Sequence, residues 1–283
     1  FILVFAKILI LLSGIMFTGI IAERLIFHEF EANLYVSFIL GISIIYGMAL
    51  LGLKLSNIII YIYAVNLIGF YKYYKIMFKI RINKYILIIS LPVLIAICFQ
   101  MIWYWDAVVM WFFHAKVIAY AREFGYWIYT GPTPPMPNYP KLLPIMAALI
   151  SEITGVYNEA LPKTALAYLL FGIILGFSEV KYFNNKEKIF LYFILLSLMG
   201  IHSYSGYMDG WLGIYTAICC IFMVNLKKEN SERDAANVIC TVGILPMMKL
   251  EGSVIALLLV LFLLIGNYKL LLKNHKHFIK LTI

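Results

Sequence analysis

The chain has 283 residues, of which 64% are hydrophobic and only 13% charged, with a formal net charge of +9 and a mean hydropathy of +0.92. A soluble globule needs about a quarter of its residues charged to cover its surface, so a soluble fold is excluded and a bilayer takes the place of the core. The basic residues cluster in short segments between apolar runs, with no basic helix or aromatic-basic motif, which points to membrane topology and away from nucleic acid.

The first apolar run covers residues 2–22. It lacks the short apolar stretch and small-residue cleavage site of a signal peptide, and reads as a first span. Further runs lie near 34–53, 56–71, 85–103, 163–180, 188–202, 211–226, 236–248 and 252–268. The expected fold is all-α, a polytopic transmembrane helical bundle of about nine spans, the shorter ones completed by polar or aromatic flanks. Residues 1–84 are expected to form N-terminal transmembrane helices and residues 85–283 a second module. The chain starts at Phe1 and stops after a basic stretch, and it reads as a fragment truncated at its C-terminus.

Orientation follows from four basic segments, at 72–84, 181–188, 227–233 and 269–280. Placing all four in the cytoplasm requires an even number of crossings between consecutive segments, which makes the turns at 203–210 and 249–251 external. The first three runs are oriented only by extending this rule back from 72–84. Three apolar stretches separate Lys84 from Lys181, so one should not cross. That one is 142–156, which follows the proline tract from Pro132 to Pro144 and has the short length of an interfacial or re-entrant helix. Residues 104–162 then form one long external loop carrying interfacial helices. Within it, 107–124 mixes Trp111 and Phe112 with His114, Lys116 and Arg122, as a helix lying under headgroups does. The proline tract itself is a loop with a stiff backbone.

Cys98, Cys219, Cys220 and Cys240 fall inside apolar runs and read as small side chains buried in the membrane, not a disulfide framework. His114 and His202 lack metal-ligand spacing and read as headgroup-level polar groups. Of the three aspartates, Asp234 lies in a charged loop, whereas Asp106 and Asp209 stand at the outer ends of expected spans. A carboxylate at a membrane boundary suggests function because of its desolvation cost, and each is equally placed to cap the helix that follows it. Lys249 and Glu251 pair a cation with an acid at another outer turn, suited to a lipid-linked phosphate or to mutual pairing. Tyr139 and Lys141 set a hydroxyl and a second cation at the mouth of the 142–156 segment.

Three elements carry a family resemblance. Trp105 and Asp106 lead into the external segment; Asn138, Tyr139, Pro140, Lys141, Leu142, Leu143 and Pro144 lead into an apolar stretch; and Met248, Lys249, Leu250, Glu251 and Gly252 precede a late run. In this order they resemble the GT-C class of polytopic glycosyltransferases, which includes protein O-mannosyltransferases and lipid A aminoarabinose transferases. Tyr139 stands where the family more often has histidine, and Ala107 where protein mannosyltransferases have a second acid. The resemblance implies an enzyme that moves a sugar, with inversion, from a polyprenyl-phosphate donor to a glycan, lipid or protein acceptor on the external face of a bacterial inner membrane. It implies Asp106 as general base, Asp209 orienting the acceptor or supporting Asp106, Lys141 or Lys249 holding the donor phosphate, and Glu251 fixing Lys249 or binding sugar hydroxyls. No cofactor is expected; some relatives use a divalent metal, but no ligand cluster is readable here. The competing expectations are a secondary transporter and a noncatalytic membrane component of envelope polysaccharide assembly. The candidates lie at span ends, where an interfacial enzyme needs them, and not at the midplane typical of transporters.

Overall fold

The computed structural model describes residues 2–27, 33–77, 82–102, 104–124, 136–156, 158, 160–229 and 231–273. The start of the proline tract at 132–135, Trp103 and the last basic segment beyond Lys273 lie outside the described residues. Among the described residues there are twelve α-helices and no strand. The first four are α1 (Ile2–Ile26), α2 (Leu34–Leu50), α3 (Leu55–Met77) and α4 (Lys84–Phe99). A π-helical stretch (Asp106–Phe112) runs into α5 (Phe113–Ala121), and α6 (Leu142–Thr154) follows. A 3-10 turn (Leu161–Lys163) opens α7 (Thr164–Glu179), succeeded by α8 (Asn185–Leu198) and α9 (Gly200–Tyr204). The last three are α10 (Met208–Glu229), α11 (Glu232–Met248) and α12 (Leu250–Lys273).

Local chemistry explains where these helices begin. Asn33 caps α2 by accepting from the backbone N–H groups of Tyr35 and Val36. Asn184 and Glu187 form a reciprocal capping box on α8, and Ser231 caps α11 through the N–H of Asp234. Each satisfies donors that a helix start leaves open.

Helices match all nine apolar runs. Four helical stretches, Ile2–Ile26, Leu55–Ile76, Leu161–Glu179 and Met208–Glu229, are long and apolar enough to cross a membrane; Leu34–Leu50, Lys84–Phe99, Leu142–Thr154 and Leu250–Ile265 are shorter apolar helices. Large apolar side chains also face outward, such as Leu91 and Ile95 on α4 and Leu257, Phe262 and Ile265 on α12. An apolar exterior of this extent suits lipid and not water.

Within the segment 142–156, α6 is enclosed by protein. Twelve of the thirteen residues of α6, all but Glu152, are buried, and it packs against α1, α3, α5 and α7. His114 is likewise buried, on the inner side of α5.

Side-chain contacts sort the helix ends into two poles. At one, Arg233 at the start of α11 pairs with Glu179 at the end of α7, 2.6 Å apart, and Lys228 lies over the ring of Tyr182. The same pole holds Glu23 of α1, which accepts from the Asn33 N–H at 2.7 Å and from the Ser37 hydroxyl. α4 and α8 run side by side, joined near mid-length by Ser90 and Tyr192, and α3 runs parallel to α1, joined by Ser13 and Asn66 at 2.7 Å and by Phe17 and Phe70. The basic segments at 72–84, 181–188 and 227–233, as far as they are described, therefore gather at this pole. The opposite pole carries the ends of α2, α4 and α11 with α5, α9 and the starts of α10 and α12, where Tyr104 meets His202 and the Leu55 N–H bonds the Arg122 carbonyl at 2.8 Å.

Candidate functional site

The site begins with the break between α11 and α12. Pro246 lies inside the last turn of α11 and supplies no backbone donor. The helix stops at Met248, and Lys249 takes an extended conformation, φ −156° and ψ 156°. α12 restarts immediately, with the Gly252 N–H bonded to the Lys249 carbonyl at 3.0 Å. A Cβ at Gly252 would stand 2.0 Å from the Leu245 carbonyl oxygen, so only glycine lets the two helices turn this tightly.

Lys249 is thereby aimed at the start of α10. Its Nζ lies 2.5 Å from Asp209 Oδ1 and 3.6 Å from Glu251 Oε1, with a side chain 12% exposed against 44% and 54% for the two acids. Burial alone would lower the pKa of this ammonium, but the hydrogen bond and charge of Asp209, helped by Glu251, outweigh it and hold the pKa above the usual lysine value. Lys249 stays a cation at neutral pH and its charge is already compensated twice.

Tyr207 completes this group. Its hydroxyl is raised in pKa by the hydrogen bond and the charge of Asp209, with lesser contributions from burial and from the charge of Asp106, while Lys249 opposes them. Lys249 Nζ stands 5.7 Å from the centre of the Tyr207 ring, within cation–π range. Sequence reasoning passed over Tyr207 although it lies two residues before Asp209; an aromatic hydroxyl beside a boundary acid was the available signal.

Two further segments reach the group. Tyr139 donates to Glu251 Oε1 at 3.4 Å and sets its ring edge-on to Trp111, with centroids 6.1 Å apart. Trp111 belongs to the π-helical stretch that starts at Asp106. Wide π turns occur often at functional sites. Gly206, at φ 114°, lets the α9–α10 turn pass over this stretch: a Cβ there would meet the Phe112 ring at 2.4 Å.

Asp106 does not cap a helix. The cap position is Trp105, with no side-chain cap bond, and Asp106 makes no side-chain hydrogen bond or ion pair among the described residues. It is half-buried, and its charge is felt at Tyr207. Asp209 sits in the first turn of α10, where its charge favours the helix dipole, but its side chain is held by Lys249.

Lys141 lies apart. It stands just before α6, 2% exposed; its Nζ donates to the Met136 carbonyl at 3.0 Å and its backbone N–H to the Tyr46 hydroxyl at 3.4 Å. Burial lowers its pKa to about 8. Among the described residues no ion pair links it to an acid.

Of the residues singled out in the sequence, the structure thus joins Asp209, Lys249, Glu251 and Tyr139 by direct contact, brings Asp106 within electrostatic reach, and leaves Lys141 buried outside the contact group. Among the described residues the arrangement combines an unengaged carboxylate, a compensated ion cluster and a buried cation without a carboxylate. Among the described residues no three His, Cys, Asp or Glu side chains are grouped to hold a metal ion. No protein-family model matches the chain, and comparisons with curated proteins and with solved structures find no match.

Proposed function

We propose that this chain is a membrane glycosyltransferase of the GT-C kind, with about nine crossings, that moves a sugar from a polyprenyl-phosphate donor to a glycan, lipid or protein acceptor. The pole bearing Asp106 and Asp209 is taken as the external face of a bacterial inner membrane, because the basic segments gather at the other pole. The observation that carries the reading is the unengaged Asp106 carboxylate beside the Tyr207, Asp209, Lys249 and Glu251 group.

In the proposed reaction Asp106 accepts the proton of the acceptor hydroxyl as its oxygen attacks the anomeric carbon. The bond from that carbon to the carrier phosphate breaks, its electron pair leaving with the phosphate, and the configuration inverts. Lys249 is already paired with two acids, so its part is to position Asp209. Of the two lysines suited to the leaving phosphate, Lys141 is the one with charge to spare, and a cation there stabilises the charge that develops.

The test is transfer of labelled sugar from polyprenyl-phosphate donors in membranes holding wild type or Asp106→Asn, with equal insertion verified. Transfer confined to wild type is expected. Unchanged transfer by the variant removes Asp106 as the base.

One observation favours a second reading, a secondary transporter. Glu23, 5% exposed on α1, belongs to a buried polar chain: the Asn33 cap directs its own amide to Asn237 Oδ1 at 2.7 Å, and Thr241 meets the Tyr35 hydroxyl at 2.8 Å. Ionisable groups buried in a membrane bundle often mark solute or proton paths. Solute uptake without covalent transfer, abolished in Glu23→Gln, distinguishes this reading from the first.

A further inference from the structure

α5 has two faces. His114, Ala115 and Ile118 are buried on the side that packs against α6, whereas Phe113, Lys116, Val117 and Tyr120 follow one another at helical spacing on the other side. Phe113 is 41% and Tyr120 71% exposed. These four residues and Ala121 line an open surface depression of about 470 Å³.

Among the described lining residues Lys116 carries the one charge. Among the described residues no carboxylate lies within ion-pair distance of Lys116: Glu152, on the neighbouring helix, faces Arg122 at 3.9 Å, and Glu251 and Asp209 belong to Lys249. A largely apolar trough with a cation at its centre that no described carboxylate pairs is complementary to an amphiphile with one negative charge. Aromatic rings and a lysine on one helix face are also the side chains that settle at a bilayer's headgroup level.

We propose that α5 binds an anionic phospholipid of the surrounding bilayer, its phosphate paired with Lys116 and its chain lying along Phe113, Val117 and Tyr120. The inference requires only that the chain resides in a membrane and does not depend on the transfer reaction. A bound lipid of this kind would hold α5, and the π-helical stretch continuous with it, at a fixed depth beneath the headgroups.

The test uses the full chain purified in detergent and native mass spectrometry of lipid retention, with phosphatidylglycerol and phosphatidylcholine of identical chains. Wild type is expected to retain the anionic lipid roughly fivefold over the zwitterionic one, the contribution of one basic side chain at an anionic surface. Lys116→Gln should bring the two lipids to parity, Lys116→Arg should keep the preference, and Lys75→Gln, at the opposite pole, should leave it unchanged. Parity in wild type, a preference that survives Lys116→Gln, or one lost equally in Lys75→Gln overturns the proposal. So does displacement of phosphatidylglycerol by an equimolar polyprenyl phosphate, which would make the donor lipid the occupant.

Discussion

Lys249 Nζ and Asp209 Oδ1 lie 2.5 Å apart across forty residues of chain, joining the start of α10 to the break between α11 and α12. Neither residue is held in place by its own helix alone. The Lys249 backbone is extended at the break between α11 and α12, and Asp209 is presented by a helix that starts one residue earlier.

This pair should behave as a unit. Lys249→Met and Asp209→Asn are expected to be non-additive in thermal stability, with a coupling of about 1 kcal/mol, the value for a pair half open to water. A double-mutant cycle measures it. Loss of transfer in Lys249→Met without a matching rise in donor KM would agree with positioning of Asp209 and not with phosphate binding.

Lys141 gives a pH signature. Its folded pKa, about 8, lies below the ordinary lysine value of 10.5, so between these values the unfolded chain binds more protons and stability rises with pH. Lys141→Met should flatten that rise in melting temperature. Cation-dependent donor binding runs the opposite way: donor KM should climb up to roughly tenfold per pH unit above about 8, and Lys141→Arg, which stays charged, should abolish the climb.

Gly206→Ala tests the contact between the π-helical stretch and the Asp209 turn. At φ 114°, with the Phe112 ring 2.4 Å from the added carbon, alanine should cost about 1–3 kcal/mol of stability. Adding Phe112→Leu should recover only the steric part of the loss in a thermal melt, because the backbone strain persists.

Sidedness is open to a direct check. A cysteine at Ser253, exposed in the first turn of α12, and one at Glu229, exposed at the end of α10, lie at opposite poles. In intact cells, with the exposed Cys98 and Cys220 changed to serine, a membrane-impermeant thiol reagent should label Ser253→Cys, while Glu229→Cys should react only after permeabilisation. The reverse pattern would put the Asp106 pole in the cytoplasm and remove the proposed external acceptor.

What the amino-acid sequence determined by itself is the helical architecture: long apolar runs with few charges must satisfy their backbone internally and so form helices. Proline positions and basic clusters marked their ends, and Asp106, Asp209 and Lys249 stood out because charge at such ends is scarce. Only the tertiary structure decided that Tyr139 meets Glu251 112 residues away, that Tyr207 joins Asp209 and Lys249, that Lys141 is buried outside their group, and that α6 is enclosed by protein. The physical reason is that a bundle facing lipid is apolar both inside and out. The contrast that tells a soluble helix which face to bury is then weak, and the choice of neighbour passes to close packing, glycine contacts and single polar bonds between residues far apart in the chain.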